Sequence, residues 1–222
     1  MGAGDRYATF DCYGTLIDWN AGIGGELVRL WPDADRDALL ERYHEIEPRV
    51  QLGGPIPYRE VLAESLRLLA ESEGLDLPSG EEGALGDSLP AWPPFPEVPG
   101  ELAALRGLGW RLVVLTNSDP DFIAASLERI GVPFDDAITA ERAGSYKPAH
   151  GHFERFRELY TPEPGRHVHV AASAFHDLAP AAELGIPAVW INRLGEESEH
   201  ARAAELETLA GLAEELDRLA PA

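Results

Sequence analysis

Four short apolar runs rich in β-formers, Tyr7 to Cys12, Arg111 to Leu115, Val168 to Ala172 and Ala188 to Ile191, recur along the chain with helical periodicity between and after them. This alternation constrains the fold more than any other feature. A strand that is apolar at nearly every position must be covered on both faces, which strands of a parallel sheet are. Helical spacing over Gly100 to Leu108, Asp121 to Ile130, His150 to Tyr160, Leu178 to Leu184 and the Glu/Ala/Leu-rich tail from Glu199 to Leu219 supplies that cover. A weaker strand is expected at Ala137 to Thr139. The expectation is an α/β protein built on a parallel sheet.

Residues Trp19 to Ala91 break the alternation, with only helical patterns such as Arg36 to Val50 and Tyr58 to Ser72. They read as a helical cap, residues 19–91, inserted into a core made of 1–18 and 92–222. Gly14 gives a flexible exit after the first strand, and Pro90, Pro93, Pro94, Pro96 and Pro99 stiffen the return. A cap threaded in at this point is expected to open and close.

Charge limits the partners. The 222 residues carry 39 acidic against 18 basic side chains, a formal charge of −21, and 45% are hydrophobic. That hydrophobic fraction excludes a disordered chain, and the charge argues against nucleic acid and anionic lipid surfaces. No apolar run approaches the ~18 residues of a membrane span, and a strand within the first ten residues leaves no room for a signal peptide, so the expected location is cytoplasmic. The lone Cys12 has no internal disulfide partner and is expected to face the core as an inert thiol. Any anionic substrate must be held by local cations, and here the basic residues are informative: Lys147 is the only lysine beside seventeen arginines. A lysine retained in so Arg-biased a chain marks a place that needs a compact, freely rotating ammonium.

In open parallel sheets ligands bind beyond the carboxyl ends of the strands, so those ends are where chemistry is sought. The first carries Phe10-Asp11-Cys12-Tyr13-Gly14-Thr15-Leu16, the second Leu115-Thr116-Asn117-Ser118-Asp119, the third Ser145-Tyr146-Lys147-Pro148 and the fourth Ser173-Ala174-Phe175-His176-Asp177. Together they bring an acid, hydroxyl and amide donors, an ammonium and a second acid. An aspartate kept ionised by a nearby lysine can attack electrophilic carbon or phosphorus and form an ester that water cleaves. Thr116 and Asn117 orient the nucleophile or bind an anionic group, and Asp177 holds the Lys147 ammonium or acts on the water. His167 and His169 share one face of their strand and are read as lying at a solvent edge or packed against a helix rather than as a metal pair, while Trp110 and Trp190 are read as core.

In order and spacing these four runs resemble the motifs of the haloacid dehalogenase superfamily, and the helical insert matches the cap of its dehalogenase-like branch. The resemblance implies a Rossmann-like core in which Asp11 is the nucleophile, Thr116 the second-motif hydroxyl, Lys147 the third-motif ammonium and Asp177 the fourth-motif acid. Phosphatases of the superfamily have a second Asp two residues after the nucleophile and use Mg²⁺; here that position is Tyr13, and Ala171-Ala172 replaces their Gly-Asp pair. Tyr13 is what the L-2-haloacid dehalogenases carry, and halide leaves carbon without a proton or a metal. That branch implies a hydrolase of 2-haloacids with no cofactor and no metal ligands. It assigns Tyr13, Arg42, Asn117, Thr15 and Ser173 to a small anionic substrate, Arg42 and Asn117 attracting the halide and Trp19 lining an apolar wall. Dimers are common in it. Departures are Ala172 and Ala174 where it has Ser and Asn, and Phe153 where it has a Tyr six residues after the lysine; Ser173 or His176 is expected to replace part of what is missing. The alternatives are a Mg²⁺-dependent phosphatase and a binding protein that keeps the fold without turnover.

Overall fold

A computed structural model describes residues 4–52 and 56–222, so residues 1–3 of the expected core and 53–55 of the expected cap lie outside the described residues. Six strands, β1 (Arg6–Phe10), β2 (Trp110–Thr116), β3 (Asp136–Thr139), β4 (His167–Ala171), β5 (Ala188–Ile191) and β6 (Ala204–Leu206), form one sheet in the order β3-β2-β1-β4-β5-β6. All five pairings are parallel. The fold class is therefore the α/β, Rossmann-like one expected. β1 lies between β2 and β4, with Phe10 opposite both Val114 and Val170, so Asp11 leaves the sheet where the chain order switches direction.

The chain divides into two compact units, Met1–Ile17 with Pro94–Ala222, and Asp18–Pro93. The second unit is helical: α1 (Trp19–Leu30), α2 (Arg36–Gln51), α3 (Tyr58–Glu73) and α4 (Ala84–Ser88). Local chemistry sets their ends. Asp18 accepts the Ala21 N–H, Asp35 accepts those of Asp37 and Ala38, and Gly74 closes α3 in the left-handed region at φ 65°. Val61, Leu62, Leu66 and Leu69 of α3 are fully buried and form much of this unit's own core.

In the sheet unit the helices are α5 (Val98–Gly107), α6 (Pro120–Ile130), α7 (Ala140–Ala143), α8 (Gly151–Tyr160), α9 (Ala179–Glu183) and α10 (Leu212–Leu219). One hydrophobic cluster joins Tyr7, Val113, Leu115 and Ile138 of the sheet to Phe153 and Phe156 of α8, and extends to Leu178, Ala181 and Trp190. Trp110 and Trp190 are buried, as read from the sequence, and so is Cys12, whose thiol is pushed up well above its ordinary pKa by burial. No helix among the described residues is long and apolar enough to cross a membrane.

Two expectations need correction. The tail is not one helix from Glu199: only Leu212–Leu219 is helical, and Ala204–Leu206 extends the sheet. An open edge of β5 outcompetes helix propensity there, because Ala203 N–H donates to Ala188 O (2.7 Å) and Asn192 N–H to Leu206 O (2.8 Å). Asn192 also ties down Glu205 (2.7 Å), and the Arg202 guanidinium sits 5.0 Å over the Trp190 ring. The helix expected from Leu178 begins earlier, as a π-turn over Ala174–Leu178 capped by Ser173, before continuing as α9. Wide turns of this kind leave no periodic signature in so short a segment.

The aromatic stack at the bottom of the sheet gives a test. Phe156 is fully buried, 5.5 Å from the Tyr7 ring and 4.4 Å from the imidazole of His167. Phe156→Ala is expected to cost about 3–5 kcal/mol, read as a lowered urea midpoint at unchanged slope; a loss under ~1 kcal/mol would mean that this stack is not central to the core.

Candidate active site

Asp11 follows β1 and remains anchored to the sheet by its N–H, which donates to Val170 O (3.1 Å). The chain then folds back on itself. Leu16 and Ile17 N–H both donate to Cys12 O, and Gly14, at φ 89°, makes the reversal that a side chain would strain. This turn returns Thr15 to the nucleus of the site, where its hydroxyl donates to Asp11 Oδ2 (2.8 Å) and accepts the Ala172 N–H (2.9 Å). The Arg193 guanidinium holds the turn from behind, donating to Thr15 O (2.9 Å), pairing with Glu97 (2.8 Å) and lying 3.5 Å over the Phe95 ring.

Lys147 bridges the two acids. Its Nζ donates to Asp11 Oδ1 (2.9 Å) and Asp177 Oδ1 (2.7 Å), with its side chain 2% exposed. Burial alone would lower the lysine pKa, but the Asp11 and Asp177 carboxylates outweigh it and the ammonium is held above its usual value. Burial alone would raise Asp177; Lys147 and His169 reverse that and hold it well below the usual carboxylate range. A charge-paired lysine this deep needs its backbone fixed, and Asn117 does so with both ends of its carboxamide. Asn117 Oδ1 accepts the Lys147 N–H (2.7 Å) and Nδ2 donates to Lys147 O (3.1 Å).

Other expected residues fall around this centre. Thr116 is buried, its hydroxyl accepting the Ser118 N–H (3.2 Å) and its carbonyl accepting from His152 Nε2 (2.9 Å). Ser173 caps the π-turn that carries Asp177, its hydroxyl accepting the His176 N–H (3.1 Å). The Tyr13 hydroxyl is 2.9 Å from Ser126 Oγ on α6, and burial pushes the phenol far above its ordinary pKa. Arg42 belongs to the helical unit, on α2, paired with Glu45 and with Glu73 (3.7 Å). Trp19 stacks on His44 in the same unit, with ring centroids 5.0 Å apart. His169 and Arg193 were not anticipated as part of the site. His169 is fully buried, with Nε2 2.9 Å from Asp177 Oδ1. The available signal for His169 was a pair of histidines at alternate positions in a strand otherwise made of Val and Ala.

Among the described residues no three His, Cys, Asp or Glu side chains group to hold a metal ion. Lys147 occupies the space between the Asp11 and Asp177 carboxylates, so a divalent cation does not fit between them without displacing the ammonium.

Comparison with known proteins adds the following. A family model described as haloacid dehalogenase-like hydrolase matches residues 6–185. The chain is 28% identical to the (S)-2-haloacid dehalogenase of Pseudomonas sp. (strain YL), over 84% of this chain and 82% of that protein. It is 30% identical to haloacetate dehalogenase H-2 of Moraxella sp. (strain B), over 84% and 85%. The structure of an L-2-haloacid dehalogenase from Xanthobacter autotrophicus with chloropropionic acid covalently bound matches at 18% identity with a TM-score of 0.84, covering 95% of this chain and 97% of that one.

The buried imidazoles make stability depend on pH. Burial, then the Lys147 charge, pushes His152 down to about 4; burial, then His169 and Arg157, pushes His167 down to about 3. An unfolded histidine takes up its proton near 6.5, so below that pH the unfolded chain binds protons that the folded one refuses, and stability falls as pH falls. A loss on the order of a few kcal/mol is expected between about pH 7 and about pH 4. His152→Gln should flatten the urea midpoint's pH dependence over this range; an unchanged slope would place the titration elsewhere.

Proposed function

The chain belongs to the haloacid dehalogenase-like hydrolases, and from that premise we propose that it hydrolyses small 2-haloacids through an ester on Asp11, without a metal. The observation that carries this reading is the pairing of Asp11 with a buried ammonium and a hydroxyl, Lys147 at 2.9 Å and Thr15 at 2.8 Å, at the switch point of a parallel sheet. Asp11 attacks C2 of the substrate in line with the carbon–halogen bond, the new C–O bond forming as halide leaves with the bonding electrons. Water then adds to the Asp11 carbonyl carbon, the Cγ–O bond to the substrate breaks, and a 2-hydroxy acid and one proton are released. Lys147 and Thr15 stabilise charge on the carboxyl oxygens in both steps, and Asp177 keeps Lys147 in place. Both curated relatives bear dehalogenase names, and the Xanthobacter structure names a covalent chloropropionic acid adduct.

Position 13 separates this from phosphoryl transfer. A leaving alkoxide needs a proton, and a buried phenol bonded to Ser126 with its pKa raised is a poor acid; a leaving halide needs none. Thr116 and Ser173 hold the substrate carboxylate in this reading. Asn117 acts by fixing Lys147 and facing the halide, Arg42 gives up its glutamate partners to draw the halide away, and unit 18–93 serves as the helical cap. Cytoplasm is the compartment that suits the lone Cys12 thiol, and a homodimer is the assembly common in the resembling family.

Chloride release from L-2-chloropropionate, unaffected by EDTA, is the expected result; EDTA-sensitive nitrophenol release from p-nitrophenyl phosphate instead would replace this reading with the phosphatase. Asp11→Asn should lower chloride release by at least about 10³-fold. In a single turnover in H₂¹⁸O the isotope should enter the Asp11 carboxyl group, and label found only in the hydroxy acid would rule out the ester. Arg42→Gln should lower kcat by about tenfold, whereas a wild-type rate would leave Arg42 as a surface charge only.

A further inference from the structure

Asp177 is held through one oxygen. Oδ1 accepts from Lys147 Nζ at 2.7 Å and from His169 Nε2 at 2.9 Å, whereas Oδ2 is buried with no hydrogen-bond partner among the described residues. The carboxylate's orientation therefore depends on two donors, and one of them lies outside the four motif runs. An ionised carboxylate only accepts, which assigns the proton to His169 Nε2. In the neutral ring Nδ1 is then an acceptor, 2.9 Å from Thr9 Oγ1, and Thr9 in turn lies 2.8 Å from His167 Nε2. Every proton in this chain points one way, from His167 through Thr9 and His169 to Asp177. It spans two paired strands, with Thr9 directly opposite His169.

The surroundings leave His169 no other task. Phe153 of α8 packs edge-on against its ring at 4.9 Å. Two further imidazoles lie near Lys147 and Asp177 and are otherwise engaged: His152 Nε2 donates to Thr116 O, and His176 Nδ1 is 3.2 Å from Ser173 Oγ. Phe153 stands six residues after Lys147, where the resembling family carries a Tyr. The hydroxyl is absent from the helix, and a donor arrives from the strand instead.

We infer that His169 is a positioning residue for the reaction, its Nε2–H aiming the Asp177 carboxylate so that Lys147 stays bridged to Asp11. The effect on turnover rests on the proposed role of Asp11; the effect on Lys147 does not. Because Lys147 is the only lysine, protein grown on lysine labelled with ¹³C at Cε gives a single lysine side-chain signal whose pH titration needs no assignment. With Asp177 no longer aimed, burial prevails over the remaining carboxylate, and the Lys147 midpoint in His169→Leu should fall by about one pH unit or more. His169→Gln, which keeps an N–H, should stay within about 0.3 unit of wild type. Turnover should follow: kcat about tenfold lower or more in His169→Leu at unchanged KM, and near wild type in His169→Gln. An unchanged midpoint in His169→Leu, or an equal fall in both variants, overturns the inference. If His169→Leu does not fold, Thr9→Val against Thr9→Ser makes the same comparison, since only the serine keeps the hydroxyl that orients the ring. A wild-type protein that releases no chloride yet shows the Lys147 difference would remove the substrate reading and leave this one standing.

Discussion

One ammonium group sits between two carboxylates in the interior, and the sheet unit is arranged around keeping it there. A buried charge is stable only when its partners are fixed, because desolvation costs several kcal/mol per ion and only well-aimed partners repay it. Three different elements meet that demand. β1 delivers Asp11 and the turn that brings Thr15 to it; the π-turn capped by Ser173 delivers Asp177; and Asn117, at the end of β2, grips the Lys147 main chain on both sides. The contacts that hold Lys147 join residues 30 to 136 positions apart, so the bridge exists only once the parallel order β2-β1-β4 is in place.

The same demand explains why polar side chains are buried in β4. His167 and His169 would weaken a purely apolar strand, yet each is covered by an aromatic ring of α8 and hydrogen-bonded through Thr9. Aromatic faces supply the packing that the imidazoles forgo, and the hydroxyl of Thr9 satisfies two rings at once. Arg193 does comparable work at the end of β5: stacked on Phe95 and paired with Glu97, it stiffens the turn behind Thr15.

Much of this was legible in the sequence. Continuous apolar runs marked β1, β2, β4 and β5, because burial on both faces leaves an unambiguous pattern, while the half-buried edge strand β3 left a weaker one. Asp11, Lys147 and Asp177 were legible because strand ends of a parallel sheet converge, and all four runs meet at hydrogen-bond distance, the second through Asn117 and the Lys147 main chain. The tail was not, since Ala204–Leu206 has helix-forming composition and becomes a strand only because β5 leaves an edge to pair with. His169 was hidden for a related reason. Alternation along β4 gives the face of the sheet it occupies, but its contact with Asp177 comes from a turn eight residues later that carries no periodic signal.

The arithmetic of formal charge in this cluster has a further consequence. Asp11, Lys147 and Asp177 sum to one negative charge at rest, inside a chain that already carries −21. Esterification of Asp11 would make the trio neutral, the state in which a bound carboxylate meets least repulsion. Hydrolysis restores the negative charge while the hydroxy acid's own carboxylate is still beside it. On the proposed ester route the regenerated carboxylate would repel the hydroxy acid beside it, so the charge of the trio itself favours clearing of the site.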